Sequence, residues 1–352
     1  MNIKITGSGS YIPTEIISNS DFGEHIFLNE DGTKFPQPNT VITQKFKGIT
    51  GIEERRYAST ELLTSDLATF AAKRAIEDAS IDPETLDYII FAHNFGDVKK
   101  GAIQGDMLPS LASKTKYNLR IKNPKCVAYD MLFGCPGWVE GVIQAYAFIK
   151  AGMAKKCLVI GAETLSRVVD PHDRDSMIYS DGAGATIIEA TDNDGGILTH
   201  ESATFTYDEA NYLFFGKSFN TDNDPNVRYI KMHGRKIYEF ALINVPQAMK
   251  ECLDKSGIDI SQLKKILIHQ ANEKMDEAII QRFYKLYDLE VPEGIMPMSI
   301  HKLGNSSVAT IPTLYDSIVK GKIENQKLNS GDIILFASVG AGMNVNAIVY
   351  KM

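Results

Sequence analysis

The chain is predicted to be an α/β protein built from two similar halves, and three observations carry that prediction. Stretches with helical apolar spacing alternate with short apolar strands along its length. The segment Ile81-Asp82-Pro83-Glu84-Thr85-Leu86-Asp87-Tyr88-Ile89-Ile90-Phe91 is echoed 177 positions later by Ile258-Asp259-Ile260-Ser261-Gln262-Leu263-Lys264-Lys265-Ile266-Leu267-Ile268. Leu158-Val159-Ile160-Gly161 and Leu335-Phe336-Ala337-Ser338 keep the same spacing, and ordered matches at a fixed offset are the mark of a duplication.

Taken in order, Ile3-Lys4-Ile5-Thr6-Gly7 reads as a first strand entering a turn. In each copy of the repeat an amphipathic helix, residues 67–79 and 245–255, precedes a short loop and a buried strand. Residues 96–119 form a polar stretch holding about seven residues that the second half lacks. Tyr129-Asp130-Met131-Leu132-Phe133-Gly134-Cys135-Pro136-Gly137-Trp138 then reads as a strand-to-helix elbow, with Pro136 suited to the first helical turn.

Trp138, Val139, Val142, Ile143, Tyr146, Ala147 and Ile149 cover more than one helical stripe, which predicts a buried helix. If two similar halves pack together, one such helix from each forms a middle layer between two sheets. The strands at 158–161 and 335–338 each lead towards a glycine-rich hairpin, Asp181-Gly182-Ala183-Gly184-Ala185 and Gly340-Ala341-Gly342. The halves meet at Asp192-Asn193-Asp194-Gly195-Gly196, giving an N-terminal half 1–195 and a C-terminal half 196–352.

Composition narrows the function classes. With 352 residues, 44% hydrophobic and 23% charged, the chain can bury a large core. A net charge of -7 and a pI near 5.6, with Lys and Arg scattered, argue against a nucleic-acid surface. No apolar run reaches the length of a membrane span. Cys126, Cys135, Cys157 and Cys252 are widely spaced with no CxxC, so neither a disulfide framework nor a zinc site is expected, and a reducing cytoplasm is the expected setting.

The chemistry centres on three residues. Cys135 stands at a helix N-terminus, where the helix dipole favours thiolate. Its counterpart, 170 positions on, is Asn305 within Lys302-Leu303-Gly304-Asn305-Ser306, so the duplication predicts that the two are neighbours. His269 ends the second-half strand where the first half has Ala92, a break at the end of a strand where α/β proteins build sites. A cysteine with a nearby imidazole is a nucleophile suited to thioesters. A His and an Asn amide can donate to one enolate oxygen, while the N–H groups of Cys135 and Ala341 can form a second oxyanion hole.

Six ordered motifs carry a resemblance that runs from Ile3 to Tyr350. They are the Cys135 elbow, Thr50-Gly51-Ile52-Glu53-Glu54-Arg55-Arg56, Ser180-Asp181-Gly182-Ala183-Gly184-Ala185, His269-Gln270-Ala271-Asn272, Gly304-Asn305-Ser306-Ser307 and Gly340-Ala341-Gly342. With them the chain resembles a ketoacyl-acyl-carrier-protein synthase of type III, in the thiolase superfamily. The resemblance implies a thiolase-like five-layered αβαβα fold, a homodimer, and acyltransferase chemistry in fatty acid or related lipid and polyketide biosynthesis. Cys135 takes an acyl group from a thioester, and a malonyl or 3-oxoacyl thioester on acyl carrier protein then condenses with it, His269 and Asn305 holding the enolate. It also implies pantetheine thioester substrates without a separate cofactor or metal, and substrate or carrier contacts at Arg174, Asn272, Lys274 and Arg282.

The chain departs from the family pattern at identifiable places. Where the family has a tryptophan and an arginine gripping the coenzyme A nucleotide, it has Lys45 and Ile49, and Glu239 stands where a further base is expected. Pro-Gly-Trp follows the nucleophile in place of small residues. These departures fit a specialised ketosynthase joining two longer acyl chains, of the dialkylresorcinol or aryl-polyene type. An acyl-thioester hydrolase using the same Cys and His, and a non-catalytic scaffold, are the other classes; a dehydrogenase is disfavoured because Gly7-Ser8-Gly9 does not continue into a dinucleotide fingerprint.

Overall fold

The structure, a computed structural model, describes residues 1–102 and 104–352; Ile103, inside the expected insertion, lies outside the described residues. The first half opens with β1 (Asn2–Tyr11) and β2 (Glu15–Ser18), continues through α1 (Asn39–Thr50), and returns in β3 (Glu54–Tyr57), which pairs with β2. Then come α2 (Thr64–Ala79), β4 (Tyr88–Ala92), α3 (Leu111–Asn118), β5 (Val127–Met131), α4 (Gly137–Lys150), β6 (Lys156–Thr164) and β7 (Asp181–Thr191). The second half begins with β8 (Gly196–Thr204), β9 (Leu213–Gly216), β10 (Tyr229–Met232) and α5 (Gly234–Ser256). It ends with β11 (Leu263–Ile268), α6 (Glu273–Lys285), α7 (Ile300–Leu303), α8 (Thr310–Val319), β12 (Ile333–Gly340) and β13 (Asn344–Lys351).

Two sheets repeat one topology. The first has the order β1-β7-β6-β4-β5, the second β8-β13-β12-β11, with β4 and β11 parallel to β6 and β12 and the remaining shared pairs antiparallel. Among the described residues the second sheet has no counterpart of β5, but the Ile295 carbonyl accepts from Ile266 N–H at 2.8 Å along the corresponding edge. All strands of the first sheet fall within residues 2–191 and all of the second within 196–351.

Layering follows from which faces are apolar. Helix α4, apolar most of the way round, is sandwiched with α8 between the sheets, where Trp138, Val142, Leu314, Phe336 and Ile348 share one core. Trp138 is 1% exposed and stacks edge-on against Phe336; burial of side chains this large contributes roughly 1.5–3 kcal/mol each. Helices α2 and α3 cover the outer face of the first sheet, and α5 and α6 that of the second. The result is the expected five-layered αβαβα arrangement with the central helices as its third layer.

Several local expectations are corrected. Asp181-Gly182-Ala183-Gly184-Ala185 is not a hairpin but the start of β7, buried between β1 and β6. Its glycines make room for packing: a Cβ on Gly184 would stand 2.6 Å from Pro312 Cβ, so the small residue lets α8 lie on the strand. Only Gly340-Ala341-Gly342 turns a tight hairpin, between β12 and β13. Pro136 is the N-cap rather than the first helical residue. Helix α5 starts at Gly234, well before the expected residue 245, and accommodates Pro246 in its interior.

Candidate active site

Four chain segments meet at Cys135. The elbow between β5 and α4 turns at Gly134, with φ +66; a Cβ there would also stand 2.6 Å from Ala341 N. From the other side, a Cβ on Gly340 would lie 2.5 Å from Cys135 N. Two glycines in different halves thus let the Cys135 elbow and the β12–β13 hairpin touch backbone to backbone. Asn344 Nδ2 donates to the Phe133 carbonyl at 3.2 Å and Asn346 Nδ2 to the Pro136 carbonyl at 3.1 Å, so β13 also ties the elbow down through side chains.

Asn305 precedes a short turn that leads into α8. Its N–H donates to the Ile178 carbonyl at 2.9 Å and its carbonyl accepts from Ser180 N–H at 2.8 Å, a bridge to the segment before β7. Arg55 of the Thr-Gly-Ile motif, fully buried, holds that segment: its guanidinium donates to the Met177 and Ile17 carbonyls and to Asn19 Oδ1. The Asn305 side chain is oriented as well, because Oδ1 accepts from Ser307 N–H at 2.8 Å. That bond leaves Nδ2 as the amide's free donor.

His269 follows β11, its N–H donating to the Ala337 carbonyl at 2.9 Å. The next residue, Gln270, is fully buried and satisfied, donating to the Pro297 carbonyl and accepting from Ser299 and Ile300 N–H. Gln270 therefore braces the loop behind the histidine. The imidazole itself is enclosed, its Nδ1 buried without a partner, and burial lowers its pKa to about 4. The ring is neutral at physiological pH, and a proton on Nε2 makes it a donor.

Cys135, His269 and Asn305 line one small cavity of about 70 Å³ together with Tyr179, Gly340 and Met343. The three residues selected from the sequence are thus brought together. One sequence expectation needs correction: the thiolate is not already favoured. Burial, aided by the charge of Glu163, pushes the Cys135 thiol up to about 11, while the Ser307 hydroxyl and the N–H groups of Cys135 and Ala341 pull it down. The helix N-terminus and its donors compensate only part of the desolvation. Because His269 is neutral, the imidazole adds no positive charge to favour the thiolate.

Larger chambers share residues with the small one. An outer chamber of about 470 Å³ has Lys45, Ile49, Arg174 and Asn272 among its lining residues and shares Ile178, Met232, Ile237, Ala271 and Met275 with the Cys135 cavity. Arg174 is half exposed at this chamber, its guanidinium over Phe35 at 4.9 Å. Asn272 caps α6 by accepting from Met275 N–H at 3.2 Å, so it serves the fold as well as the chamber. Lys274 and Arg282 lie exposed on α6 outside the chamber lining, Arg282 reaching the Leu242 carbonyl at 3.4 Å. A further chamber of about 240 Å³ is lined by Cys135, Phe95, Leu165, Leu213, Phe214 and Phe215 among others.

Sequence reasoning assigned no role to Asn94, Glu163, Asn344 or Asn346. Glu163 had a visible signal: a lone acid at the end of an otherwise apolar strand, here 1% exposed. The two asparagines of β13 had none, because their partners are carbonyls of the other half.

The geometry agrees with the relatives of the chain. Residues 129–204 match the family described as 3-Oxoacyl-[acyl-carrier-protein (ACP)] synthase III, and residues 253–352 match its C-terminal part. The chain is 32% identical over 353 residues to the beta-ketoacyl-[acyl-carrier-protein] synthase III of Aquifex aeolicus, with all of both chains covered. It is also 32% identical to the enzyme of the same name from Caldanaerobacter subterraneus, over 99% of this chain and 97% of that one. The crystal structure of 3-oxoacyl-[acyl-carrier-protein] synthase III from Aquifex aeolicus superposes with a TM-score of 0.79 at 30% identity, covering 99% and 100% of the two chains. With a duplicated fold, a cysteine elbow and a His and Asn on the same cavity, this chain belongs to the 3-oxoacyl-[acyl-carrier-protein] synthase III family.

Proposed function

We propose that the protein is an acyltransferase that performs a decarboxylative Claisen condensation. The observation that carries this is the convergence of Cys135, His269 and Asn305 on one cavity between two larger chambers. Cys135 attacks an acyl thioester, the N–H groups of Cys135 and Ala341 hold the tetrahedral oxyanion, and its collapse breaks the thioester C–S bond and releases the pantetheine thiol, which carries away the proton of the cysteine. The acyl group stays on sulfur while a malonyl thioester enters. Loss of carbon dioxide leaves an enolate whose oxygen accepts from His269 and from Asn305 Nδ2, and its carbon attacks the acyl-cysteine, breaking the acyl C–S bond and releasing the Cys135 thiolate, which is then reprotonated. The reaction uses no cofactor, because each substrate carries its own pantetheine thioester.

The outer chamber supports delivery of that pantetheine arm, with the carrier protein docking on the exposed bases Lys274 and Arg282. Lys45 and Ile49 there stand where the family has the tryptophan and arginine that grip the coenzyme A nucleotide, which favours a carrier-borne over a coenzyme A-borne primer. The 240 Å³ chamber, walled by Phe95, Phe214 and Phe215, favours an acyl group longer than acetyl, and with it a ketosynthase joining longer chains. A homodimer is supported by β5, an edge strand with Val127 47% and the following Leu132 63% exposed, suited to pairing with the same strand of a second copy. Sedimentation that shows a monomer at micromolar concentration would refute it. A cytoplasmic setting agrees with four unpaired cysteines, and among the described residues no helix is long and apolar enough to cross a membrane.

The test is a panel of acyl thioesters, on coenzyme A and on carrier protein, with and without malonyl carrier protein. The expected product is a 3-oxoacyl carrier protein, formed fastest from medium or long carrier-borne chains. Free acid as the sole product sinks the condensation reading in favour of a hydrolase. In the same assay, Lys274→Glu with Arg282→Glu is expected to raise KM for carrier protein roughly tenfold with kcat little changed. An unchanged KM removes these two residues from the docking surface.

A further inference from the structure

A line of polar side chains, buried at Glu163 and Ser307 and half-buried at Asn94, ends on the Cys135 sulfur and is not used by the condensation reading. Glu163, at the end of β6, accepts a hydrogen bond from Asn94 Nδ2. Asn94 Nδ2 also donates to Ser307 Oγ at 3.2 Å. Ser307 Oγ in turn donates to Cys135 Sγ at 3.3 Å. The direction of this line is determined by its ends. An amide nitrogen has two hydrogens and no lone pair, and once Glu163 is ionised, as it is where the thiol titrates, turning the amide over would set its oxygen against the carboxylate. Ser307 Oγ must therefore accept from Asn94, which leaves its hydrogen for the sulfur.

A second, independent observation singles out Ser307. Its φ is +53, in the left-handed region that a non-glycine residue adopts at a cost. The surrounding contacts hold it there: its N–H orients Asn305, and its hydroxyl reaches the sulfur. Strain retained at one residue that touches both catalytic partners marks a functional position.

We propose that Ser307 is a further catalytic residue, donating to the Cys135 sulfur as the thiolate forms, and that Asn94 and Glu163 are positioning residues that fix the direction of this donation. The proposal rests on Cys135 being the nucleophile. The donor lies where it is needed, because burial otherwise holds the thiol high. The titratable groups facing the sulfur are Glu163 after the apolar run of β6, His269 after β11 and Tyr179 before β7. His269 is neutral above about 4, and burial keeps the Tyr179 phenol protonated, so Glu163, pushed up by burial to about 8, is the one that changes charge alongside the thiol.

The test is the pH dependence of Cys135 alkylation by iodoacetamide, located by peptide mass mapping, in the full chain. This readout needs neither substrate nor condensation, so it separates failure of this proposal from failure of the condensation reading. Ser307→Gly suits the positive φ, keeps the N–H that orients Asn305 and removes the hydroxymethyl side chain. It is expected to slow alkylation at neutral pH on the order of tenfold and to raise the midpoint by about one pH unit. Asn94→Ala should shift the midpoint the same way by less; Glu163→Ala and Glu163→Gln both remove the carboxylate charge that raises the thiol, so Glu163→Gln, which keeps an oxygen to hold Asn94, is expected to alkylate faster and at a lower midpoint than Glu163→Ala. A wild-type midpoint in Ser307→Gly overturns the proposal. So does a slower rate with an unmoved midpoint, the result of a merely reshaped pocket, and so does a Glu163→Gln variant no better than Glu163→Ala.

Discussion

Cys135→Ala is expected to carry no acyl adduct by intact-protein mass spectrometry and to lose condensation by roughly 10⁴-fold or more, the scale of removing a covalent nucleophile. None of the other cysteines can take over. Cys126, Cys157 and Cys252 are at most 1% exposed, and burial pushes Cys157 up to about 12 and Cys252 up to about 11. Cys135 shares the raised pKa but not the burial of the other three, whose thiols are unreachable. The fold should survive the substitution, since the elbow is held by Gly134, Gly340, Asn344 and Asn346 rather than by the thiol. An adduct of full occupancy in Cys135→Ala would show that a different group is the nucleophile.

His269→Ala and Asn305→Ala are expected to divide the reaction at the next step. Each variant should still accept an acyl group on Cys135, while decarboxylation of malonyl carrier protein falls by roughly 10²–10³-fold, the usual cost of losing one oxyanion donor. Trapping the acyl-enzyme and measuring carbon dioxide release separately reads the two halves. Full decarboxylation in either variant removes that residue from the enolate site.

The pH dependence has a definite sign. Burial lowers the His269 pKa from 6.5 to about 4, so the donor form is present throughout the neutral range. Decarboxylation should therefore show no inflection from His269 between about pH 5 and 8. The same shift costs folding stability in acid. With its folded pKa below its unfolded one, His269 makes the unfolded state the better proton binder as pH falls from about 6.5 towards 4.

Different parts of the site were legible for different reasons. The neighbouring positions of Cys135 and Asn305 were readable because a duplicated αβ unit repeats its topology, and equivalent positions of two packed halves approach the axis relating them. His269 was readable because it breaks that repeat. The lone acid of β6 is visible locally, but its partner is not: Asn94 and Glu163 act through hydrogen bonds across segments 69 and 213 residues apart in sequence. The first-half hairpin was misread for a related reason. Gly182 and Gly184 look like turn residues, whereas at Gly184 the missing Cβ makes room for Pro312, a contact made only once α8 is seated on β7.

The sequence by itself determined the α/β class, the duplication, the buried central helix and the three residues of the candidate site, since periodicity and repetition are properties of the chain. Only the tertiary structure decided the chemical state of those residues. A helix N-terminus beside an imidazole suggested a ready thiolate, but the enclosing core raises the Cys135 thiol to about 11 and holds His269 neutral. Desolvation depends on everything packed around a group, and that environment exists only when both halves have closed on it.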